Sequence, residues 1–259
     1  MEQIISVATD AAKEAGAVLR ELFSDRTKRY AMKNAHDIVA EADLKSETII
    51  LGRIKEAFPD HAILSEESGA NGKESEYKWI VDPLDGTINF SRGIREFCIS
   101  IAVSRNDELV FGLVYVPVSD RLFIAEKGKG ATANGAIIRV SDERNLVNTL
   151  LATDNTSDIP NRIRNFRVLG KICANVRHVR IFGSSALHLV RIAGGELDAY
   201  YKIDCNYWDN AAGILILREA GGAITDMNGA DISPKSDTIV ATNGSVHSEL
   251  LSVLLSAHE

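Results

Sequence analysis

Asp82 and Asp85 stand three positions apart in the run Trp79-Ile80-Val81-Asp82-Pro83-Leu84-Asp85-Gly86-Thr87-Ile88-Asn89-Phe90. They follow a short apolar stretch that reads as a buried strand. Pro83 lacks a backbone donor and Gly86 tolerates a tight turn, so both carboxylates should leave the strand's end together. Segments at the ends of rigid elements are where chemistry usually sits. Paired hard oxygen donors suit a cation such as Mg²⁺, which commonly serves phosphate chemistry. Metal-dependent phosphoryl chemistry is the expectation.

Other acids stand where they would join this pair. Glu66 and Glu67 end the apolar run Ala62–Ser65, Asp43 opens a helical pattern, and Asp209 directly precedes Asn210-Ala211-Ala212-Gly213 and an apolar run. Each has a plainer reading. An Asp that opens a helix is most often an N-cap, and the helix dipole favours an acid there in any case. Glu66-Glu67 alone is a solvated loop pair, and Asp-Pro-Leu-Asp-Gly alone is a turn. Four such features in one chain are harder to dismiss than any one of them.

The elements that must position these acids follow from periodicity. Residues 4–23 place Ile4, Ala8, Ala11, Ala12, Ala15, Leu19 and Leu22 at helical spacing. A second helix is expected over 42–57, stopping before Pro59, with a polar and mobile connection over Asp25–Asp37 between the two. Strands are expected at 62–65, at the Asp82 run, and at 97–105, 109–116 and 122–126. A turn follows at Gly128-Lys129-Gly130. The second half alternates, with strands at 149–153, 178–181, 199–202 and 238–241 and helices at 159–174, 185–193, 209–220 and 245–257. That alternation predicts an α/β layer beside a mainly antiparallel first half. No linker of Pro or Ser separates the halves, so the active site is expected between them.

Composition narrows the class. The chain has 259 residues, 45% hydrophobic and 25% charged, with a formal net charge of −7 and no dense Lys/Arg run. General nucleic-acid binding needs clustered cations, so it is disfavoured. Cys98, Cys173 and Cys205 are odd in number and widely spaced. They suit neither a disulfide framework nor a zinc site, and they fit a reducing compartment. The charged N-terminal segment does not read as a signal peptide, and no apolar run approaches bilayer length. A cytoplasmic protein with no membrane partner is the expectation.

The boxes together carry a resemblance. Asp82-Pro-Leu-Asp-Gly-Thr-Ile-Asn-Phe90, Glu66-Glu-Ser68 and Trp208-Asp-Asn-Ala-Ala-Gly213 resemble those of the inositol monophosphatase family of Mg²⁺-dependent, lithium-sensitive phosphatases. Gly128-Lys-Gly-Ala131, Asn134-Gly135, Gly183-Ser-Ser-Ala186 and Glu219-Ala-Gly-Gly222 are also similar, in family order over nearly the whole chain. The resemblance implies a five-layered α-β-α-β-α sandwich of the sugar phosphatase type, α+β in the half 1–146 and α/β in the half 147–259. It also implies a homodimer.

The same resemblance implies roles. Glu66, Asp82 and the Leu84 carbonyl would hold one Mg²⁺, and Asp82, Asp85 and Asp209 a second, with Mn²⁺ the alternative cation. A third ion would lie near Glu66, supported by Asp43 or Glu67, and the segment Lys33–Asp37 would close over it. Water would be the nucleophile, with Thr87 orienting it and passing its proton toward Asp43. Gly86 and Thr87 N–H groups would cradle phosphate oxygens; the plainer reading of Thr87 is a helix cap. Gly183, Ser184 and Ser185 would face the substrate, with Asp85 and Asp209 beside it.

Animal members carry a glutamate seven residues before the Trp-Asp aspartate, where this chain has Lys202. A cation there would attract a second phosphate, as on fructose 1,6-bisphosphate, assisted by Arg177, Arg180 and Arg191. The plainer alternative is a strand-end lysine paired with Asp204. The substrate is therefore expected to be inositol 1-phosphate together with fructose 1,6-bisphosphate. Adenosine 3′,5′-bisphosphate and histidinol phosphate stay open, as does a regulatory binding protein that retains the metal site.

Overall fold

The computed structural model describes residues 1–24 and 41–258. The expected connection at Asp25–Asp37 and the closure of Lys33–Asp37 lie outside the described residues. Among the described residues the order begins α1 (Glu2–Ser24), α2 (Glu41–Ala57), β1 (Ala62–Ser65), β2 (Gly69–Ala70), β3 (Tyr77–Asp85) and α3 (Thr87–Arg92). It continues through β4 (Cys98–Arg105), β5 (Glu108–Val116), β6 (Arg121–Glu126), β7 (Ala131–Ala133) and β8 (Ala136–Ile137). A 3₁₀ turn at Leu146–Asn148 leads into β9 (Leu150–Thr153), α4 (Ile159–Ile172), β10 (His178–Arg180), α5 (Ser185–Ala193) and β11 (Ala199–Ile203). The chain ends with α6 (Tyr207–Glu219), β12 (Ala223–Thr225), β13 (Thr238–Thr242) and α7 (His247–His258).

The first sheet runs β2-β1-β3-β4-β5-β6-β7-β8, antiparallel except for β1 against β3. The second runs β10-β9-β11-β13-β12, parallel from β10 to β11 and antiparallel beyond. On the outer face of the first sheet, α1 and α2 bury Ala8, Ala11, Leu19, Ile50 and Ile54 against Trp79, Phe97 and Tyr115. Each fully buried large apolar side chain of this kind contributes roughly 1.5–3 kcal/mol. Helices α5 and α6 fill the space between the sheets, and α4 and α7 cover the far face of the second. The layers are α-β-α-β-α, as expected. No helix among the described residues is long and apolar enough to cross a membrane.

Helix α6 explains its own sequence. Asp209 through Leu217 are buried without interruption, as an all-round apolar helix must be when sheets lie on both sides. Gly112 on β5 lets it come close: a Cβ there would lie 2.7 Å from the Ala212 carbonyl oxygen. The long elements match the sequence reading to within a few residues. The short strands β2, β7, β8 and β12 were not expected, because two or three residues show no period and pair only when a neighbour is already in place.

Candidate active site

Strand β3 carries its chemistry past a register shift. It pairs regularly with β4 up to Asp82, slips, and resumes at Asp85 opposite Cys98. The strand was expected to end before the carboxylates; it runs through them, and the bulge turns them to the same end of the sheet. Pro83 fits there because its missing donor is not needed, while its carbonyl accepts from Ser46 Oγ at 2.7 Å. Asp82 Oδ1 accepts the Leu84 N–H at 2.9 Å. Gly86 then turns the chain at φ 98°, where a Cβ would also meet the Glu96 carbonyl at 2.7 Å.

Thr87 opens α3, but Gly86 holds the cap position, so Thr87 is not the helix cap. Its Oγ1 lies 3.0 Å from the Leu84 carbonyl and 3.3 Å from Asp43 Oδ1. Asp43 is in the first turn of α2 and is 1% exposed. Glu66 enters from the end of β1, the parallel neighbour of β3. Asp209 enters from the first turn of α6, whose cap is Asn206, so Asp209 is not an N-cap either.

The turn before α5 grips Asp85. Ser184 Oγ and the Ala186 N–H each donate to Asp85 Oδ2 at 2.7 Å, and the Ser185 N–H donates to Oδ1 at 3.3 Å. A carboxylate seated on a helix N-terminus is electrostatically favoured. Ser184 therefore turns to Asp85 rather than to the substrate side as expected. Lys202 Nζ lies 3.5 Å from Asp209 Oδ2 and donates to Ser185 Oγ at 3.1 Å. The reading of Lys202 as a strand-end partner of Asp204 is thus corrected: β11 points it inward, where Asp209 lies.

Four carboxyls now share one field. Burial raises Glu66 to about 7, with Asp209 and Asp85 adding to it. Burial and the charge of Asp209 raise Asp85 to about 7 against the hydrogen bonds from Ser184 and Ala186. Asp82 is pushed well up by burial, Glu66 and Asp85, and Asp209 is raised by burial although Lys202 opposes this. Among the described residues no three metal-ligating side chains converge as a finished ligand shell. The donor set, oxygen-only and crowded with negative charge, nonetheless fits a hard divalent cation.

Beside Asp85 and Thr87 lies a cavity of about 370 Å³, walled by Gly86, Asn155, Phe182, Gly183, Ser185 and Lys202. A larger groove of about 820 Å³ runs past Asp107, Glu108 and Arg218. Asp107 and Glu108 pair at the surface with Lys78 and Lys127, and Arg218 pairs with Asp231.

A sequence model described as the inositol monophosphatase family matches residues 1–259. The chain belongs to the inositol monophosphatase family. It is 37% identical to "Inositol monophosphatase 2" of Solanum lycopersicum over 262 residues, covering 98% of each chain. It is 37% identical to "Nus factor SuhB" of Pasteurella multocida over 257 residues, covering 97% of this chain and 95% of that one. The solved inositol monophosphatase of Anabaena (Nostoc) superposes with a TM-score of 0.89 at 36% identity, covering 98% and 96% of the two chains.

Within this family fold the expected residues fall into two groups. Glu66, Asp82, Asp85 and Asp209 form the acidic cluster, with Glu67 adding to the repulsion that raises Glu66. Gly86, Thr87, Gly183, Ser185 and Lys202 wall the cavity beside it. The arginines expected to assist do not join them. Arg191 stacks 4.2 Å over Phe182 and pairs with Glu96, while Arg177 and Arg180 are exposed. Cys98, Cys173 and Cys205 are free.

Two functional candidates were missed. Asp154 lines the cavity, and the buried His188 lies against it. Asp154 follows an ordinary strand and His188 sits mid-helix, so neither carried a local signal. The Trp-Asp box aspartate and Lys202, by contrast, were visible as motif members.

Proposed function

We propose that the protein is a Mg²⁺-dependent phosphomonoesterase that hydrolyses inositol 1-phosphate, with fructose 1,6-bisphosphate as a second substrate. The observation that carries this reading is the meeting of Glu66, Asp82, Asp85 and Asp209 from the end of β1, from β3 and from α6, beside a cavity that Thr87 lines. Glu66, Asp82, Leu84 through its carbonyl, Asp85 and Asp209 would hold two ions, with a third near Glu66 and Glu67; Mn²⁺ is the alternative cation. What the cation supplies when bound is Lewis-acid polarisation of phosphoryl oxygens and a more acidic water.

The chain's own groups do the rest. Thr87 orients the attacking water, and its proton passes through Oγ1 to Asp43, 3.3 Å away. The carboxylate is needed because a threonine hydroxyl alone is a weak base. N–H groups of Gly86 and Thr87 receive phosphate oxygens, and Gly183, Ser185 and Lys202 wall the leaving-group side. Asp85 is held for this work by the α5 turn. We further read the chain as one folding unit of two halves, 1–146 and 147–259, acting as a cytoplasmic homodimer.

A second reading has one observation behind it. A relative at 37% identity is named "Nus factor SuhB", which favours a regulatory binding protein that keeps the acid cluster. Phosphate release with Mg²⁺ separates the two. Turnover of inositol 1-phosphate above that of adenosine 3′,5′-bisphosphate is expected. Silence on inositol 1-phosphate, fructose 1,6-bisphosphate and adenosine 3′,5′-bisphosphate, with Mg²⁺ binding intact, would leave the regulatory reading.

A further inference from the structure

The cavity beside Thr87 contains a buried charge that the chemistry above does not use. Asp154 is 4% exposed and still lines the wall. Its Oδ1 accepts the Gly183 N–H at 2.8 Å. Its Oδ2 accepts from Tyr200 OH at 3.2 Å and lies 3.1 Å from His188 Nδ1. The Tyr200 hydroxyl is 3.1 Å from Ser185 Oγ, which accepts from Lys202 Nζ at 3.1 Å. His188 is sealed between the rings of Phe182 and Tyr200, with centroids at 5.5 and 4.7 Å. A continuous polar chain thus runs from Asp154 to Lys202 along one wall.

The charges along that chain are matched. Lys202 Nζ lies 3.5 Å from Asp209 Oδ2 and is linked to Asp154 through Ser185 Oγ and Tyr200 OH. Asp154 is in turn held by the Gly183 N–H and faces His188 Nδ1. If Asp209 is engaged by a cation, Asp154 remains as the acid that opposes Lys202. Isolated buried charges are avoided, and two that answer each other are tolerated.

We infer that Asp154 is a positioning residue that fixes Lys202 and offsets its charge, so that the cavity favours a polyol with one phosphate over a sugar with two. This rests on the phosphatase reading above and narrows its substrate class. A second phosphate brings nearly two negative charges at neutral pH. It would meet a lysine already opposed by a carboxylate on the same wall. A hydroxyl is neutral and can donate and accept, so it suits a wall that offers a carboxylate, an ammonium and the Asn155 side.

The test is calorimetric titration of inositol 1-phosphate and fructose 1,6-bisphosphate, separately, into the full-length protein. Ca²⁺ replaces Mg²⁺ so that each ligand outlasts the measurement. The wild type is expected to bind the monophosphate more tightly. Asp154→Asn keeps an acceptor for the Gly183 N–H but removes the charge; it should shift the affinity ratio toward the bisphosphate by about tenfold. Lys202→Met should shift it the other way. General loosening of the turn would weaken both ligands together and leave the ratio unmoved.

A wild-type preference for the bisphosphate, or an unmoved ratio in the folded variants, overturns the inference. If Asp154→Asn does not fold, Lys202→Met alone decides. Binding without turnover in Mg²⁺ would remove the phosphatase reading while the ratio still judges Asp154. Binding of neither ligand by the wild type overturns both.

Discussion

Thr87 has one hydroxyl hydrogen and two acceptors in reach, Leu84 O at 3.0 Å and Asp43 Oδ1 at 3.3 Å. One proton can serve only one of them at a time, so the side chain is poised to exchange partners. That is a useful property in a group that must take a proton and pass it on. Thr87→Ala should lower kcat by about 10²-fold or more, with little change in thermal stability, because Gly86 rather than Thr87 caps α3. Thr87→Ser keeps the hydroxyl and should recover most of the rate. A Thr87→Ala enzyme within a few-fold of wild type would remove Thr87 from the proton path. Asp43 and Asp154 belong to the same scale: both are buried acids whose partners, not their sequence neighbours, define what they do.

At the scale of elements, the site depends on how closely α6 lies on the first sheet. Gly112 has no Cβ, and an added one would stand 2.7 Å from the Ala212 backbone oxygen. Backbone atoms cannot step aside as a side-chain end can. Gly112→Ala should therefore cost about 1–3 kcal/mol, typical of overpacking, seen as a fall in Tm. The same shift would move Asp209, which α6 carries, and lower activity further. Gly52 in α2 is the control, since an added Cβ there meets nothing within 4 Å. Gly52→Ala should raise stability by about 0.5–1 kcal/mol. Equal effects at the two sites would show that the close approach of α6 is not what matters.

For the whole molecule, the consequence is a coupling of stability to pH and divalent cation. Glu66 and Asp85, with ordinary values of 4.5 and 3.8, are both raised to about 7 in the fold. The folded chain therefore binds protons that the unfolded chain has already released. Their contribution to stability is fully present below about pH 4 and is lost as pH rises through about 7. Asp82 and Asp209 are shifted in the same direction. His61 and His247, lowered by burial, give the opposite slope, so the cation dependence is the discriminating quantity. Mg²⁺ should raise the Tm of chelator-treated protein more at pH 8 than at pH 5, because the acids it would bind are then ionised. A Mg²⁺ shift of the same size at both pH values would mean the cluster is not its site.

The long elements were legible because each carries its own period or its own apolar run. Alpha1, with apolar residues at 4, 8, 11, 15, 19 and 22, needs no neighbour to declare itself, and Ala62–Ser65 appears with the expected ends. The acid boxes were legible for a related reason: turn chemistry at Asp82-Pro-Leu-Asp-Gly is local. Asp154 and His188 were not, because their meaning arises across 34 positions of sequence, from Nδ1 to Oδ2 at 3.1 Å. Lys202 was visible as a cation, but its partner was not. Asp204 is nearer in the chain, yet β11 ends at Ile203 and Asp204 turns away at φ 65° to accept from Thr156 Oγ1, while α6 brings Asp209 to Lys202. Local chemistry chose the residues, and long-range contacts between the two sheets and α6 assigned each its partner.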